Sequence, residues 1–223
     1  TTFETASQAG APALAGGDAG VMTIPALEGS QAYHVDPGFE PSSGDNFTSY
    51  TMIMDLMVHD GNGEYFSLFQ NDMTNSEDGA IFIENEGDGT GTLEILRGAH
   101  GTITYGEWHR IALTVEDAGD GTVTLKKFID GALVGTQNVP AERLTIDGEN
   151  GFLLFADDNG ESGVAHINSL VFTDRVMTDA EIIGHGGPTA AGLQIADDAR
   201  SLQFDFDNGL EPDVGTGITI IDP

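Results

Sequence analysis

The chain has 223 residues, no cysteine, and 7 Lys and Arg residues against 37 Asp and Glu residues, giving a formal net charge of −30 at pH 7. This charge repels phosphate backbones and anionic lipid headgroups, so it argues against a nucleic-acid or membrane-surface partner. The sequence has no run of about 18 apolar residues, so no membrane-inserted helix is predicted. The lack of cysteine excludes disulfide bonds. Cations are the partners that such an acidic surface favours.

The glycine content and the hydrophobic pattern indicate the fold class. Glycine accounts for 31 of the residues, about twice the usual frequency. Apolar residues rarely recur at helical spacing, whereas short alternating runs separated by turn residues are frequent, as in all-β proteins. Sandwiches of about 200–250 residues commonly form one unit. We therefore expect one all-β domain over residues 1–223.

The first quarter of the chain leads into one long strand. Residues 1–20 are rich in Ala and Gly and predict a surface-running lead-in. Residues 21–27 and 31–35 predict two short strands, and Pro25 favours an edge position for the first. Residues 47–58 carry apolar side chains on both parities. That pattern predicts a central strand that is covered on both faces.

A meander of antiparallel strands occupies the middle of the chain. Residues 108–115 alternate in polarity, and Asp130-Gly131 is a strong signal for a two-residue hairpin turn. Further strands are predicted over residues 64–70, 80–84, 92–97, 101–105, 123–129 and 132–136.

The last third combines strands with one short helix. Thr178 and Glu181 form a Thr-x-x-Glu capping box, so a helix is predicted near residues 178–184, and the glycines up to Pro188 end it. Strands are predicted over residues 144–146, 151–156, 164–173, 202–206 and 217–221.

Three motifs follow one another through residues 107–183. They are a Trp-x-x-Ile-Ala-x-Thr strand with a Phe-Ile-Asp-Gly hairpin, a later apolar strand, and an Arg-x-Met-Thr-x-x-Glu-Ile turn and helix. Their residues are Trp108, Ile111, Ala112, Thr114, Phe128, Gly131, Gly135, His166, Phe172, Arg175, Met177, Thr178, Glu181 and Ile182. This order resembles the laminin-G-like, concanavalin A-like lectin/glucanase jelly-roll superfamily over about residues 47–183. Asn168 occupies a position where many relatives have Asp.

The resemblance implies a two-sheet antiparallel β-sandwich, a jelly roll. Such domains serve as carbohydrate-binding or adhesion modules of secreted and cell-surface proteins, often with a structural calcium ion, and some relatives are polysaccharide hydrolases or lyases. We therefore expect an extracellular, non-catalytic module that binds a glycan or another surface polymer. The alternatives are a structural subunit or spacer domain of an adhesin, and a polysaccharide hydrolase or lyase.

The C-terminal residues 202–221 resemble the opening strand of the family, although they lie at the other end of the chain. One interpretation places them in the same sandwich, beside the N-terminal strands. A variant inserts them into a neighbouring subunit, which makes them a route to self-association. A third interpretation has a second module beginning here.

The residues that carry catalysis or sugar contact are not evident from the pattern. A retaining glycosidase needs two carboxylates about 5–5.5 Å apart, and Glu84, Glu86 and Glu94 are more simply explained as charge around a turn. The six histidines show no paired spacing for a metal. Trp108 lies in a packing motif. The remaining candidates for an aromatic sugar platform are Tyr33, Tyr50, Tyr65 and Tyr105, for each of which a position in the core or on a sheet surface is the simpler expectation.

The metal prediction is a structural calcium ion. The turn at residues 157–161 places Asp157, Asp158, Asn159 and Glu161 around a glycine, between two strands. Calcium takes six to eight oxygen ligands, so a second segment must contribute. The distant carboxylates nominated for this role are Asp205 and Asp207. A solvated acidic turn without an ion is the alternative.

Overall fold

The computed structural model describes residues 1–29, 31–60, 63–76, 78–196, 200–207 and 209–221. Two large antiparallel sheets pack face to face, which confirms the predicted all-β sandwich. Numbered along the chain, the strands are β1 (Thr2–Thr5), β2 (Gly20–Ile24), β3 (Ala32–Val35), β4 (Asn46–Phe47), β5 (Tyr50–Val58), β6 (Tyr65–Gln70), β7 (Ile81–Asn85), β8 (Thr90–Glu94), β9 (His100–Thr104), β10 (His109–Asp117), β11 (Thr122–Ile129), β12 (Ala132–Pro140), β13 (Ile146–Asp147), β14 (Phe152–Leu154), β15 (Ala165–Thr173), β16 (Ser201–Phe204) and β17 (Ile218–Ile221), with a 3-10 turn at Ala141–Arg143 and a helix α1 (Asp179–His185).

The strand order separates the two layers. The eight-stranded sheet runs β1-β2-β15-β5-β10-β11-β12, with β16 also paired to β15. The seven-stranded sheet runs β17-β3-β14-β6-β7-β8-β9, and β4 with β13 forms a small ribbon. One hydrophobic cluster joins side chains of both sheets, for example Met54 and Leu113 of the first sheet with Ile83 and Leu154 of the second. Its burial supplies most of the free energy that holds the layers together.

Strand β5 is covered on both faces, as predicted. Met52 and Met54 face the central cluster. On the other face, Ile53 packs with Ile182 of α1, while Met57 packs under the N-terminal segment. The outer face of the eight-stranded sheet is therefore partly covered by chain that the strand pattern alone does not place.

The N-terminal residues form structure that the sequence does not predict. Most of residues 1–20 lie at the surface, as expected, but Thr2–Thr5 form β1, which pairs with β2, and Ala6 is fully buried in a cluster that includes Met57. Strand β2 ends before Pro25 and lies between β1 and β15, so it is not an edge strand. Small alanine side chains allow this segment to pack closely on the sheet.

The turns and the helix follow their local signals. Asp130 and Gly131 both have positive φ, 52° and 80°, as a two-residue hairpin requires. The hydroxyl of Thr178 accepts a hydrogen bond from the Glu181 N–H, and the Glu181 carboxylate accepts one from the Thr178 N–H at 2.7 Å. The strand predicted over residues 92–97 ends early, at Glu94, because Leu96 and Arg97 have positive φ and form a turn.

The C-terminal segment contributes to both sheets of its own chain. Strand β16 pairs with β15 in the eight-stranded sheet. Strand β17 pairs with β3 at the edge of the seven-stranded sheet. Insertion of this segment into a neighbouring copy stays a prediction.

Candidate functional site

The acidic turn that follows β14 meets the loop before β7. Carboxylate oxygens of Asp78, Asp157 and Asp158 all lie within 4.8 Å of one another. Asp157 is only 2% exposed, and its two carboxylate oxygens accept hydrogen bonds from the Gly79 N–H at 2.9 Å and the Asn159 N–H at 3.0 Å. These bonds fix Asp157 and leave the carboxylates of Asp78 and Asp158 exposed beside it.

Glu161 adds a fourth carboxylate at this turn. Burial, and then the neighbouring charges of Asp157, Asp78 and Asp158, together raise the pKa of Glu161 to about 7. The Glu161 carbonyl accepts a hydrogen bond from the Ser67 N–H at 2.8 Å, which anchors the end of the turn to β6. Four carboxylates held together in this way repel one another unless a proton or a cation lies among them. We call this set the Asp157 group: Asp78, Asp157, Asp158 and Glu161.

A cleft of about 190 Å³ adjoins the Asp157 group. Tyr65 and Phe82 line it, with their ring centroids 5.7 Å apart and their planes at 65°. Asp78, Glu94 and Glu161 supply the polar part of the lining. The cleft therefore combines the half-buried Tyr65 ring, backed by the buried Phe82 ring, with several carboxylate hydrogen-bond acceptors.

The strand register explains why Tyr65 and Phe82 lie outside the central cluster. Phe66 and Ile83 are paired across β6 and β7 and point into the central cluster. Residues of the opposite parity, such as Tyr65 and Phe82, therefore lie on the outer face of the seven-stranded sheet. Phe82 is in turn paired with Glu94 of β8.

The other tyrosine candidates lie mostly in the core. Tyr33 and Tyr50 are fully buried. The Tyr50 hydroxyl donates a hydrogen bond to the Leu144 carbonyl at 2.8 Å. Tyr105 is half-buried and packs against the central cluster. Tyr33 also lines a surface cleft, but its ring is fully buried, whereas Tyr65 is half-buried in the cleft beside the Asp157 group.

Asp205 and Asp207 lie in a different place, where β2 and β16 meet on the same edge of β15. Strand β2 pairs with residues 165–167 and β16 pairs with residues 170–173. A bulge between Ile167 and Ser169 separates the two pairings. Asn168 therefore lies at the junction of the three strands.

Hydrogen bonds draw these side chains together around Gly20. The Asp207 carboxylate accepts from the Gly20 N–H at 2.9 Å, and the Asn168 amide donates to the Gly20 carbonyl at 2.8 Å. Asn168 is 1% exposed, and its Oδ1 atom has no hydrogen-bond partner among the described residues. A Cβ atom built on Gly192 would lie 3.9 Å from that oxygen and 3.5 Å from the Asp205 Cβ. The unpaired Asn168 Oδ1 atom and the Asp205 side chain therefore both lie beside Gly192.

Asp213 completes this second set. Burial, followed by the charge of Asp205 and more weakly that of Asp207, raises the pKa of Asp213. We call this set the Asn168 group: Asn168, Asp205, Asp207 and Asp213.

The six predicted metal ligands are thus divided between the two groups, with Asn159 contributing its N–H to Asp157. The sequence prediction missed Asp78, Asn168 and Asp213, because the contacts that join them to their groups are made in the folded chain and have no short-range spacing.

Both groups have the chemistry of a calcium site. Their side chains offer only carboxylate and amide oxygens, which calcium prefers and softer metals do not. A buried polar atom normally has a hydrogen-bond partner, so the unpaired Asn168 Oδ1 fits a cation ligand at that position. The residues present are therefore compatible with calcium in either group.

The fold brings together two histidines that are far apart in the sequence. The sequence shows no paired metal spacing, yet the Nε2 atoms of His59 and His166 lie 2.8 Å apart. Since 107 positions separate the two residues in the chain, a search for short histidine spacings does not detect the pair.

A sequence model of the family described as the concanavalin A-like lectin/glucanases superfamily matches residues 40–183, more than half of the chain. No curated protein matches the chain. Within the described residues, no helix combines the length and the apolar character needed to cross a membrane.

Solved structures with a similar fold share little sequence with the chain. A Bacteroides ovatus ATCC 8483 protein whose proposed role is carbohydrate binding has 14% identity and a TM-score of 0.52, over 87% of this chain and 60% of that one. A native heptameric SAP-like pentraxin from Limulus polyphemus has 14% identity and a TM-score of 0.49, over 73% and 79% of the two chains. The binding domain of botulinum neurotoxin serotype D has 12% identity and a TM-score of 0.45, over 73% and 41%. The chain spans less than two thirds of the Bacteroides and neurotoxin chains, and the likeness to the Bacteroides protein shows a shared fold.

Proposed function

The chain belongs to the concanavalin A-like lectin/glucanases superfamily, and from that premise we propose that it is an extracellular, non-catalytic module that binds a glycan or another surface polymer and is stabilised by calcium. The observation that carries the proposal is the cleft in which Tyr65 and Phe82 adjoin the Asp157 group. The carbohydrate-binding role proposed for the Bacteroides protein of the same fold supports it by analogy.

Each part of the cleft has a role in this proposal. The Tyr65 ring provides the platform on which one face of a sugar stacks, with Phe82 supporting it edge-on. Glu94 accepts hydrogen bonds from sugar hydroxyls. A calcium ion on Asp78 and Asp158, with Asp157 as the fixed third ligand, offsets the repulsion among the carboxylates and offers a coordination position to a hydroxyl.

A glycan array in calcium and in chelator tests this function. The Tyr65→Ala variant removes the stacking surface, and we expect about tenfold weaker binding, which corresponds to about 1.4 kcal/mol. Tyr65→Phe keeps the ring and is expected to retain binding. The matched control is Tyr105→Ala, which alters a half-buried tyrosine outside the cleft.

The structural alternative gives a different result in the same experiment. A spacer or adhesin subunit without a small ligand predicts no signal on neutral or acidic glycans in either buffer. Binding that is equal in wild type and Tyr65→Ala would instead place the ligand site elsewhere on the surface.

One observation favours the hydrolase or lyase alternative as a second candidate. Glu161, with a pKa raised to about 7, lines the same cleft as Glu94, and glycoside hydrolysis uses two carboxyl groups, of which the acid has a raised pKa. Release of new reducing ends from a polysaccharide, lost in both Glu161→Gln and Glu94→Gln, would establish this activity. We expect no release.

A further inference from the structure

Two histidines from adjacent strands meet outside both acidic groups. His59 directly follows β5, and His166 is the second residue of β15, which pairs with β5. Their Nε2 atoms are 2.8 Å apart and their ring centroids 4.9 Å apart. His166 is buried and His59 is half-buried, so the pair is reached from solvent on the His59 side.

The hydrogen-bond geometry of the pair favours metal binding. The His166 Nδ1 atom lies 3.0 Å from the Thr23 hydroxyl oxygen. When Nδ1–H donates to that oxygen, Nε2 of His166 carries a lone pair directed at His59. The hydroxyl thus acts as the outer partner that selects the tautomer of a metal-binding histidine.

We propose that His59 and His166 bind a divalent transition-metal ion of the Zn²⁺ or Cu²⁺ type through their Nε2 atoms, with Thr23 orienting His166. Two imidazole ligands on a tetrahedral zinc ion have nitrogens about 3.3 Å apart, since each Zn–N bond is about 2.0–2.1 Å. Without a metal, the Nε2–H of His59 donates to Nε2 of His166; on metal binding His59 carries its proton on Nδ1 instead, so that both Nε2 atoms offer a lone pair, and a side-chain movement of about 0.5 Å creates the required separation. The other coordination positions are left for water or an added ligand.

This site differs in kind from the calcium sites of the proposed function. Imidazole nitrogen suits zinc, copper and nickel, whereas calcium takes oxygen ligands. The negative charge of Glu4 on β1 acts on His166. The same charge attracts a divalent cation. A bound ion would connect β5 to β15 beside Thr23 of β2.

The only tryptophan of the chain provides the readout. Trp108 lies with its ring centroid 6.5 Å from that of His166, so a paramagnetic Cu²⁺ ion on the histidine pair quenches its fluorescence. The titration is made with Cu²⁺ at pH 7.5, in excess Ca²⁺ that occupies the many carboxylates. We expect saturable quenching with one ion per chain, reversed by a large molar excess of Zn²⁺ because Cu²⁺ binds such sites more tightly, and nitrogen couplings in the Cu²⁺ EPR spectrum.

Variants decide whether the histidines are the ligands. His59→Gln changes the half-buried partner and is expected to weaken Cu²⁺ binding at least tenfold, while Thr23→Val weakens it by about 10–100-fold, as loss of an outer partner does. His34→Gln alters a histidine of the other sheet and should bind like wild type. The proposal is wrong if folded His59→Gln, checked by its melting curve, is quenched like wild type. Quenching without saturation, or an EPR spectrum with oxygen ligands alone, overturns it as well.

Discussion

Glu161 shows how a single side chain links the acidic turn to pH. Burial raises its pKa from 4.5 to about 7 in the folded protein. The unfolded chain ionises this group at the lower pH, so the stability associated with the folded-state proton is complete below about pH 4.5 and is lost as pH rises through about 7.

The first prediction concerns the Glu161→Gln variant, which keeps the shape of the side chain and removes the charge. In chelator at pH 7.5 we expect its melting temperature to exceed that of wild type by about 2–4 °C, corresponding to about 1 kcal/mol after solvent screening. At pH 4 the two proteins should melt alike, because Glu161 is then protonated in both states. Melting curves at the two pH values test this, with the exposed Glu149→Gln as control. Equal melting temperatures at pH 7.5 would show that the carboxylates of the Asp157 group do not strain the folded state.

Lys127 shows which property of a single side chain the alternation of a strand predicts and which it does not. It shares parity with Val123 and Leu125, so the period of β11 correctly directs it inward, and it is fully buried. Its ammonium group donates to the carbonyls of Leu93 at 3.0 Å and Gly98 at 2.5 Å. Burial lowers the pKa of Lys127 to about 8. Strand period gives the direction of a side chain, but the carbonyls that accept its hydrogen bonds come from β8 and the turn after it.

At the scale of elements, the junction of β2, β15 and β16 depends on the Asn168 group. Strands β2 and β16 do not pair with each other there. Gly20 of β2 is hydrogen-bonded both to Asn168 of β15 and to Asp207, which follows β16. Three carboxylates at such a junction repel one another, so an ion ligated by Asn168 Oδ1 and Asp205 would stabilise the pairing of both strands with β15.

The second prediction tests this junction against the Asp157 group. Calcium at a hundredfold excess over its dissociation constant should stabilise the wild type by about 2.7 kcal/mol per occupied site. Asp205→Asn should lose the part of the melting shift due to the junction, and Asp158→Asn the part due to the acidic turn. Melting curves in millimolar calcium and in chelator at matched ionic strength measure both. If magnesium reproduces the shift, or both variants retain it in full, the carboxylates form only a charged surface.

The elements that the sequence predicts correctly are those with local causes. The capping box at Thr178, the hairpin at Asp130-Gly131 and the two-sided cover of β5 each rest on neighbouring residues. The errors have long-range causes. Strand β1 is held on the sheet next to Ala6, which is buried in one cluster with Met57. The hydrophobic pattern of residues 1–20 does not predict this long-range packing. The division of the predicted metal ligands has the same origin, since Asp78 approaches Asp157 only after β6 and β14 pair.

At the scale of the whole molecule, the net charge of −30 opposes a compact shape. Few cations are available to offset it, and two of them, Lys127 and Arg110, are buried. Arg110 forms a bidentate pair with the fully buried Asp55, with both distances at 2.7 Å. This geometry satisfies a carboxylate that has no access to water. Some exposed carboxylates also have cationic partners, such as Asp179 with Lys126 and Glu181 with Arg175, but 37 acidic residues against 7 basic ones leave most of the charge to be screened by salt.

The third prediction follows from that self-repulsion. In chelator, raising sodium chloride from about 0.01 M to 1 M shortens the Debye length from about 30 Å to 3 Å, and we expect the melting temperature to rise. A neutral osmolyte at matched osmolality is the control for effects unrelated to charge. A melting temperature that is unchanged by salt would mean that the folded and unfolded chains carry equivalent repulsion.

The last prediction concerns the C-terminal segment, which enters one sheet with β16 and the other with β17. The buried Leu202, Phe204 and Phe206 belong to the central cluster, so removing residues 201–223 takes three large side chains from the core. At about 2–5 kcal/mol for each such loss, this exceeds the stability of a typical domain, and we expect an unfolded chain.

A shorter deletion separates this role from assembly. Removing residues 217–223 takes away β17 at a sheet edge, and within the described part of that segment the buried side chain is Ile218. We expect a folded monomer with a lower melting temperature. Melting curves and light scattering on both deletions measure stability and size together. If wild type forms larger assemblies that the shorter deletion abolishes without lowering the melting temperature, β17 acts between molecules, and its pairing with β3 is then made by a neighbouring copy.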